Sequence, residues 1–177
     1  PEGPLPDEPL GVPWESCMPM GRGWKHSPGN DEPGFSGAKL IRLLVEAVSK
    51  GGNLLLGTGP TPDGTLEPEA IAPLLELGEW LDVNGDAIYG TRPLPPYAEG
   101  DLFYTSKDGR RFIIVAPATG CASAPSIRLR SVRPEPGEMM VLLGHGPIDC
   151  ATLGDDAVID LPEKVRSEAA CVLQIGG

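Results

Sequence analysis

Aromatic residues are scarce in this sequence: Phe, Trp and Tyr together make up 5% of 177 residues. Basic residues are outnumbered, 14 Lys and Arg against 25 Asp and Glu, for a formal charge of -11. A nucleic-acid binder must displace counterions from phosphates with cations. The one basic group that stands out, Arg128, Arg130 and Arg133, alternates along a segment that reads as a strand with a solvated face. Nucleic acid is therefore not an expected partner, nor is an anionic membrane surface. No apolar run reaches the length needed to cross a bilayer. The four cysteines, Cys17, Cys121, Cys150 and Cys171, form no CxxC pair, which argues against a zinc knuckle or a thioredoxin-type site. Their spacing leaves buried thiols and a bridge both open. His26 and His145 stand far apart without a partner motif, and there is no GxSxG, no HExxH and no glycine-rich phosphate loop in strand–helix context. No metal and no cofactor is expected.

What is present is a folded-protein composition, 40% hydrophobic, punctuated by 24 glycines and 21 prolines. The prolines crowd into residues 1–35, where they exclude a long helix. That stretch reads as a loop, and because it carries Trp14 and Trp24 it reads as a functional one packed on something. Ser36 to Lys50 has helical periodicity, with Ser36 as N-cap, Leu40, Leu44, Ala47 and Val48 on the apolar side, Arg42, Glu46 and Lys50 on the other, and Gly51-Gly52 as the stop. Asn53 to Leu56 is a short apolar run that does not alternate, as expected of a strand buried on both faces. Residues 68 to 83 read as a second helix, with Pro73 near its first turn.

After Tyr89-Gly90-Thr91 the texture changes. Arg92-Pro93-Leu94-Pro95-Pro96 reads as a linker. Strands follow at 102–106, 110–116, 126–132, 139–143, 157–161 and 170–175, the first two joined by the hairpin signal Lys107-Asp108-Gly109. The expected fold class is α/β plus all-β, with domains at 1–92 and 93–177. A single buried strand makes no parallel sheet, so the first domain is expected to need strands from elsewhere. The opening Pro1-Glu2-Gly3, without Met, fits a processed product or a fragment.

The carboxylates of the first loop are Glu2, Asp7, Glu8 and Glu15. Glycoside hydrolysis needs two carboxyl groups flanking the scissile bond, so acids beside Trp14 and Trp24 suggest that chemistry, although on composition alone the bland reading, solvated loop acids, is the stronger. Asp63 in Pro62-Asp63-Gly64 reads as a turn residue that bonds local backbone.

Four segments then appear in a fixed order: Pro13-Trp14-Glu15-Ser16-Cys17-Met18; Val48-Ser49-Lys50-Gly51-Gly52-Asn53-Leu54-Leu55-Leu56; Gly59-Pro60-Thr61-Pro62-Asp63-Gly64-Thr65; and Gly78-Glu79-Trp80-Leu81 with Asn84-Gly85-Asp86-Ala87-Ile88-Tyr89-Gly90-Thr91. Together they resemble the family 29 α-L-fucosidases. Phe103 to Gly109 and Leu142-Leu143-Gly144 look like that family's C-terminal sandwich. The resemblance implies the last strand–helix units of a (β/α)8 barrel followed by an antiparallel β-sandwich. It implies retaining hydrolysis of terminal α-L-fucose from glycans, with an Asp nucleophile on an earlier strand that no residue of this chain matches. The acid/base then maps best onto Glu2, with Glu15 as runner-up, and the aromatic lining the fucose pocket onto Trp24.

The partners so implied are a fucosylated glycan and the N-terminal part of the barrel, from the same gene or a separate chain; a homo-oligomer is compatible with them. The implied location is extracytoplasmic, secreted or lysosome-like. Two segments depart from the family pattern: Lys25-His26-Ser27 stands where Gly-Tyr-Asn is usual, and Leu56-Gly57-Thr58-Gly59-Pro60 where Leu-Leu-Asn-Ile-Gly-Pro is frequent. Both bear on pocket shape and substrate preference. The rival expectation is a non-catalytic carbohydrate-binding or structural sandwich with a barrel remnant.

Overall fold

The chain is seen as a computed structural model that describes residues 5–21, 23–26, 35–123, 125–165 and 169–177. Strand β1 (Trp14–Pro19) leads to helix α1 (Gly37–Ser49), strand β2 (Gly52–Gly57) and helix α2 (Pro68–Asn84), which ends in a 3-10 turn, Gly85–Ala87. β1 and β2 pair in parallel, Trp14 opposite Gly52 and Pro19 opposite Gly57. Residues 1–35 are thus not all loop, and the first part of the chain holds two strands rather than one. Pro13 and Pro19 bracket β1 and mask it in the sequence. The residues between them, Trp14 to Met18, keep every N–H that a ladder needs.

The remaining strands are β3 (Arg92–Glu99), β4 (Leu102–Lys107), β5 (Arg110–Val115), β6 (Ser126–Leu129), β7 (Met140–Leu142), β8 (Gly146–Pro147), β9 (Ala151–Leu153), β10 (Asp156–Asp160) and β11 (Cys171–Ile175). They form a six-stranded antiparallel sheet in the order β3-β4-β5-β11-β7-β8 and a three-stranded one in the order β6-β10-β9. The segment Arg92–Pro96, expected as a linker, is the start of β3. It lies at the edge of the sheet, where prolines cost no interior ladder bond, and its register shifts between Pro93 and Ala98. The Arg128 and Arg130 side chains lie on the outer face of the small sheet, near Asp156 on β10.

The large sheet is buried on both faces. Tyr104, Ile113, Val115, Leu173 and Ile175 meet Ile127, Leu129, Ala157 and Ile159 of the small sheet. Phe103, Phe112, Ile114 and Val172, from the opposite face, meet Leu40, Ile41 and Val45 of α1 and Leu77 and Trp80 of α2. This is why Phe112 to Ala116 is a continuous buried run and not an alternating one. Helix α1 buries Leu40 and Ala47 as expected, with Ile41 and Val45 beside them, while Leu44 and Val48 are half-buried against the same cluster.

Arg42, assigned from sequence to the outer side, reaches the sheet instead. Its guanidinium donates to Asp101 Oδ1 at 2.7 Å and to the Ala116 carbonyl, and lies over the Phe103 ring. Ser36 caps α1 as expected, accepting from the Lys39 N–H. β2 is not buried on both faces: Leu56 packs against the helices, whereas Leu55 is 42% exposed.

Candidate active site

In a parallel pair, opposite residues point to the same side and neighbours alternate. Leu56 packs on the helical cluster, so Trp14, Ser16, Gly52 and Leu54 share its side of the β1–β2 pair. Glu15, Cys17, Asn53, Leu55 and Gly57 share the opposite, more open side. Trp14 is anchored on the helix side, where its indole N–H donates to the Lys50 carbonyl at 3.2 Å and its ring covers Gly52.

The open side ends in a close packing of loops at the C-terminal ends of both strands. Met20 N–H donates to the Gly57 carbonyl at 2.8 Å, extending the pairing past β1. The chain then turns back so that the Trp24 ring lies on Gly57. A Cβ built at Gly57 would stand 2.3 Å from two ring atoms, so only glycine admits the ring there. A Cβ at Gly59 would stand 2.2 Å from the His26 backbone nitrogen. His26 Nδ1 lies 3.5 Å from Glu67 Oε1, the residue just before α2. Lys25 and His26 of one departing segment therefore pack on Gly59 of the other. The sequence marked both but gave no sign that they meet, because 30 or so residues separate them.

Trp24 keeps 43% of its surface exposed, enough to offer a ring face to a ligand. Glu15 is also exposed and accepts from the Cys17 thiol at 3.6 Å, but it stands at the other end of the strand. At about 3.3 Å per residue, its position is roughly 13 Å from that of Pro19, which pairs with Gly57. Glu15 and Trp24 thus share a face and lie at opposite ends of it. Glu2 lies outside the described residues.

Beyond β2, Asp63 closes a tight turn. It accepts from the Thr61 hydroxyl, from the Thr65 hydroxyl at 2.8 Å and from the Thr65 N–H at 3.2 Å. These bonds lower its pKa to about 2, with Thr61 the largest contributor. The turn function expected of Asp63 is what the structure shows. Among the described residues no group of three or more His, Cys, Asp or Glu could hold a metal ion.

The chain has known counterparts. The α-L-fucosidase family profile matches residues 1–86. The α-L-fucosidase of Branchiostoma floridae is 34% identical over 139 residues, covering 75% of this chain and 30% of that protein. Human plasma α-L-fucosidase is 32% identical over 167 residues, covering 89% and 35%. The chain belongs to the α-L-fucosidase family. The crystal structure of Thermotoga maritima α-fucosidase superposes with a TM-score of 0.80 at 29% identity, covering 97% of this chain and 41% of that one. The chain spans about a third of the length of these curated relatives and about two fifths of the structural one. Plasma and tissue fucosidases both occur among the relatives. No helix among the described residues is long and apolar enough to cross a membrane.

Proposed function

We propose that this chain is the C-terminal part of a retaining α-L-fucosidase that removes terminal α-L-fucose from glycans. In this reading β1, α1, β2 and α2 are the last two strand–helix units of a (β/α)8 barrel, and residues 93–177 form the sandwich domain that follows the barrel part at 1–92. The observation that carries the reading is Trp24 seated on Gly57 at the C-terminal end of a parallel pair. Active sites of such barrels lie at that end of the strands. Trp24 would stack on a face of the sugar, and the open side carrying Asn53 and Leu55 would face the barrel interior.

The remaining strands would come from the N-terminal part of the barrel, which would also bring the nucleophile. Glu2 is the preferred acid/base: it would protonate the leaving oxygen and then take a proton from water. Glu15, well below the rim, serves better as a polar group of the barrel floor. A secreted or lysosome-like location and a fucosylated glycan as substrate are part of this reading, and the plasma and tissue fucosidases among the relatives support the former.

The test is turnover of 4-nitrophenyl α-L-fucoside by the native full-length polypeptide and by the 177 residues alone. The expected result is hydrolysis with retention at the anomeric carbon by the first, none by the second, and a large loss of kcat/KM on Trp24→Ala in the first. Hydrolysis by the 177 residues alone, or inversion, would overturn the assignment of roles.

A further inference from the structure

A second recess lies away from Trp24. It has a volume of about 470 Å³ and is lined by Arg92, Lys107, Arg110 and Arg111, together with Ser106 and the Asp108-Gly109 turn. Its level along the molecule is set by Pro93, whose ring lies 3.0 Å from a Cβ built at Gly51, just before β2. Trp24 sits at the other end of β2, on Gly57. Five residues of strand separate the two levels, roughly 16 Å.

Four of the chain's 14 basic residues converge here on a molecule of net charge -11. Their partners do not balance them. Lys107 and Arg110 share one carboxylate, that of Asp86, at 3.4 and 3.1 Å. Arg111 pairs with Glu138 and donates to the Arg133 carbonyl at 3.1 Å. Arg92 donates to the Thr91 carbonyl at 2.8 Å and meets no carboxylate among the described residues. Asp86 and Glu138 face three of these four cations, the exposed Asp108 lies in the turn beside them, and Gly177 packs on the Arg110 side chain; Arg92 is the cation whose charge no carboxylate of the described residues meets. The recess is shallow and open to solvent with a mainly polar lining, and guanidinium groups match planar or tetrahedral oxyanions.

We propose that this recess is an anion-binding subsite for a sugar carrying a single negative charge, as a sulfate ester or a carboxylate. Arg92 and Lys107 bind the anion, and the Ser106 hydroxyl and turn backbone offer hydrogen bonds to the ring. The sugar part of the proposal rests on the glycosidase reading above; the anion part rests on the residues alone. The site would hold a charged residue of a glycan whose neutral end is processed elsewhere.

The test is calorimetric titration of the native full-length polypeptide with galactose 6-sulfate, galacturonic acid, galactose and inorganic sulfate, in wild type, Arg92→Gln, Lys107→Gln and Arg92→Lys. The expected result is binding of the two charged sugars and none of galactose. Each Gln variant should weaken that binding about tenfold, as the loss of a charge-assisted hydrogen bond does, with partial recovery in Arg92→Lys. Inorganic sulfate binding as tightly as the sulfated sugar would overturn the sugar part. Unchanged affinity in both Gln variants, or equal binding of galactose, would overturn the site. Because binding is read directly, neither result depends on whether a fucoside is turned over.

Discussion

Trp80 on α2 donates its indole N–H to the carbonyl oxygen of Ala170 at 2.9 Å, with both residues buried. The bond joins the last helix to the approach of the last strand, 90 positions apart in sequence. It is one of a set that fastens the helical layer to the large sheet: Arg42 reaches Asp101 and Ala116, and the Thr105 hydroxyl donates to the Ala87 carbonyl at 2.8 Å. The two parts of the chain share a buried seam with its own hydrogen bonds.

Trp80→Phe keeps most of the ring and removes the donor. The orphaned Ala170 carbonyl should cost about 1–3 kcal/mol of unfolding free energy, against about 3–5 for Trp80→Ala, which also opens a cavity. Urea denaturation of both variants checks this. A Phe variant as stable as wild type would show that the bond is not holding the seam.

Gly57→Ala and Gly59→Ala should differ. At Gly57 the added methyl meets a side chain that is partly exposed and can swing away, so stability changes little while Trp24 is displaced. At Gly59 it meets the backbone at Lys25 and His26, and the whole loop must move. Trp24 fluorescence should shift in both, and the denaturation midpoint should fall more in Gly59→Ala. Equal midpoints would mean that the Lys25–His26 backbone yields easily.

Asp63 holds its turn as a carboxylate. Its pKa is about 2 in the folded chain against a reference of 3.8, so the hydrogen-bonded form contributes fully above about pH 4 and is lost as pH falls through 2. The Thr65 amide resonance followed by NMR from pH 6 to pH 1.5 should titrate near the lower value. A midpoint near 4 would contradict the observed bonds. Asp63→Asn should loosen the turn at neutral pH by weakening the acceptor to both threonines.

Ser16 is fully buried on the helix side of β1, and its Oγ has no hydrogen-bond partner among the described residues. Ser16→Ala removes a buried unsatisfied hydroxyl and should be neutral or stabilising by up to about 1 kcal/mol. A destabilisation of that size, measured by thermal unfolding, would show a partner for the hydroxyl.

Much of the fold was legible because local rules set it. Ser36 before an amphipathic run and Gly51 after it mark α1, and Lys107-Asp108-Gly109 marks the β4–β5 hairpin. β1 was hidden, because Pro13 and Pro19 read as breakers although the residues between them form a ladder with a strand more than 30 residues away. The prolines of β3 read as a linker for the same reason: whether a proline is tolerated depends on whether its strand lies at an edge. β8 and β9 are too short to show any pattern.

By itself the sequence determined the family, the helix caps, the turn at Asp63 and most of the sandwich strands, since each depends on neighbours in the chain or on ordered motifs. Only the tertiary structure decided that Arg42 faces the sheet, that Trp24 rests on Gly57 with His26 against Gly59, and that Glu15 lies at the far end of the strand from that ring. Those relations depend on where distant backbones meet, and spacing along a chain carries no record of a distance across it.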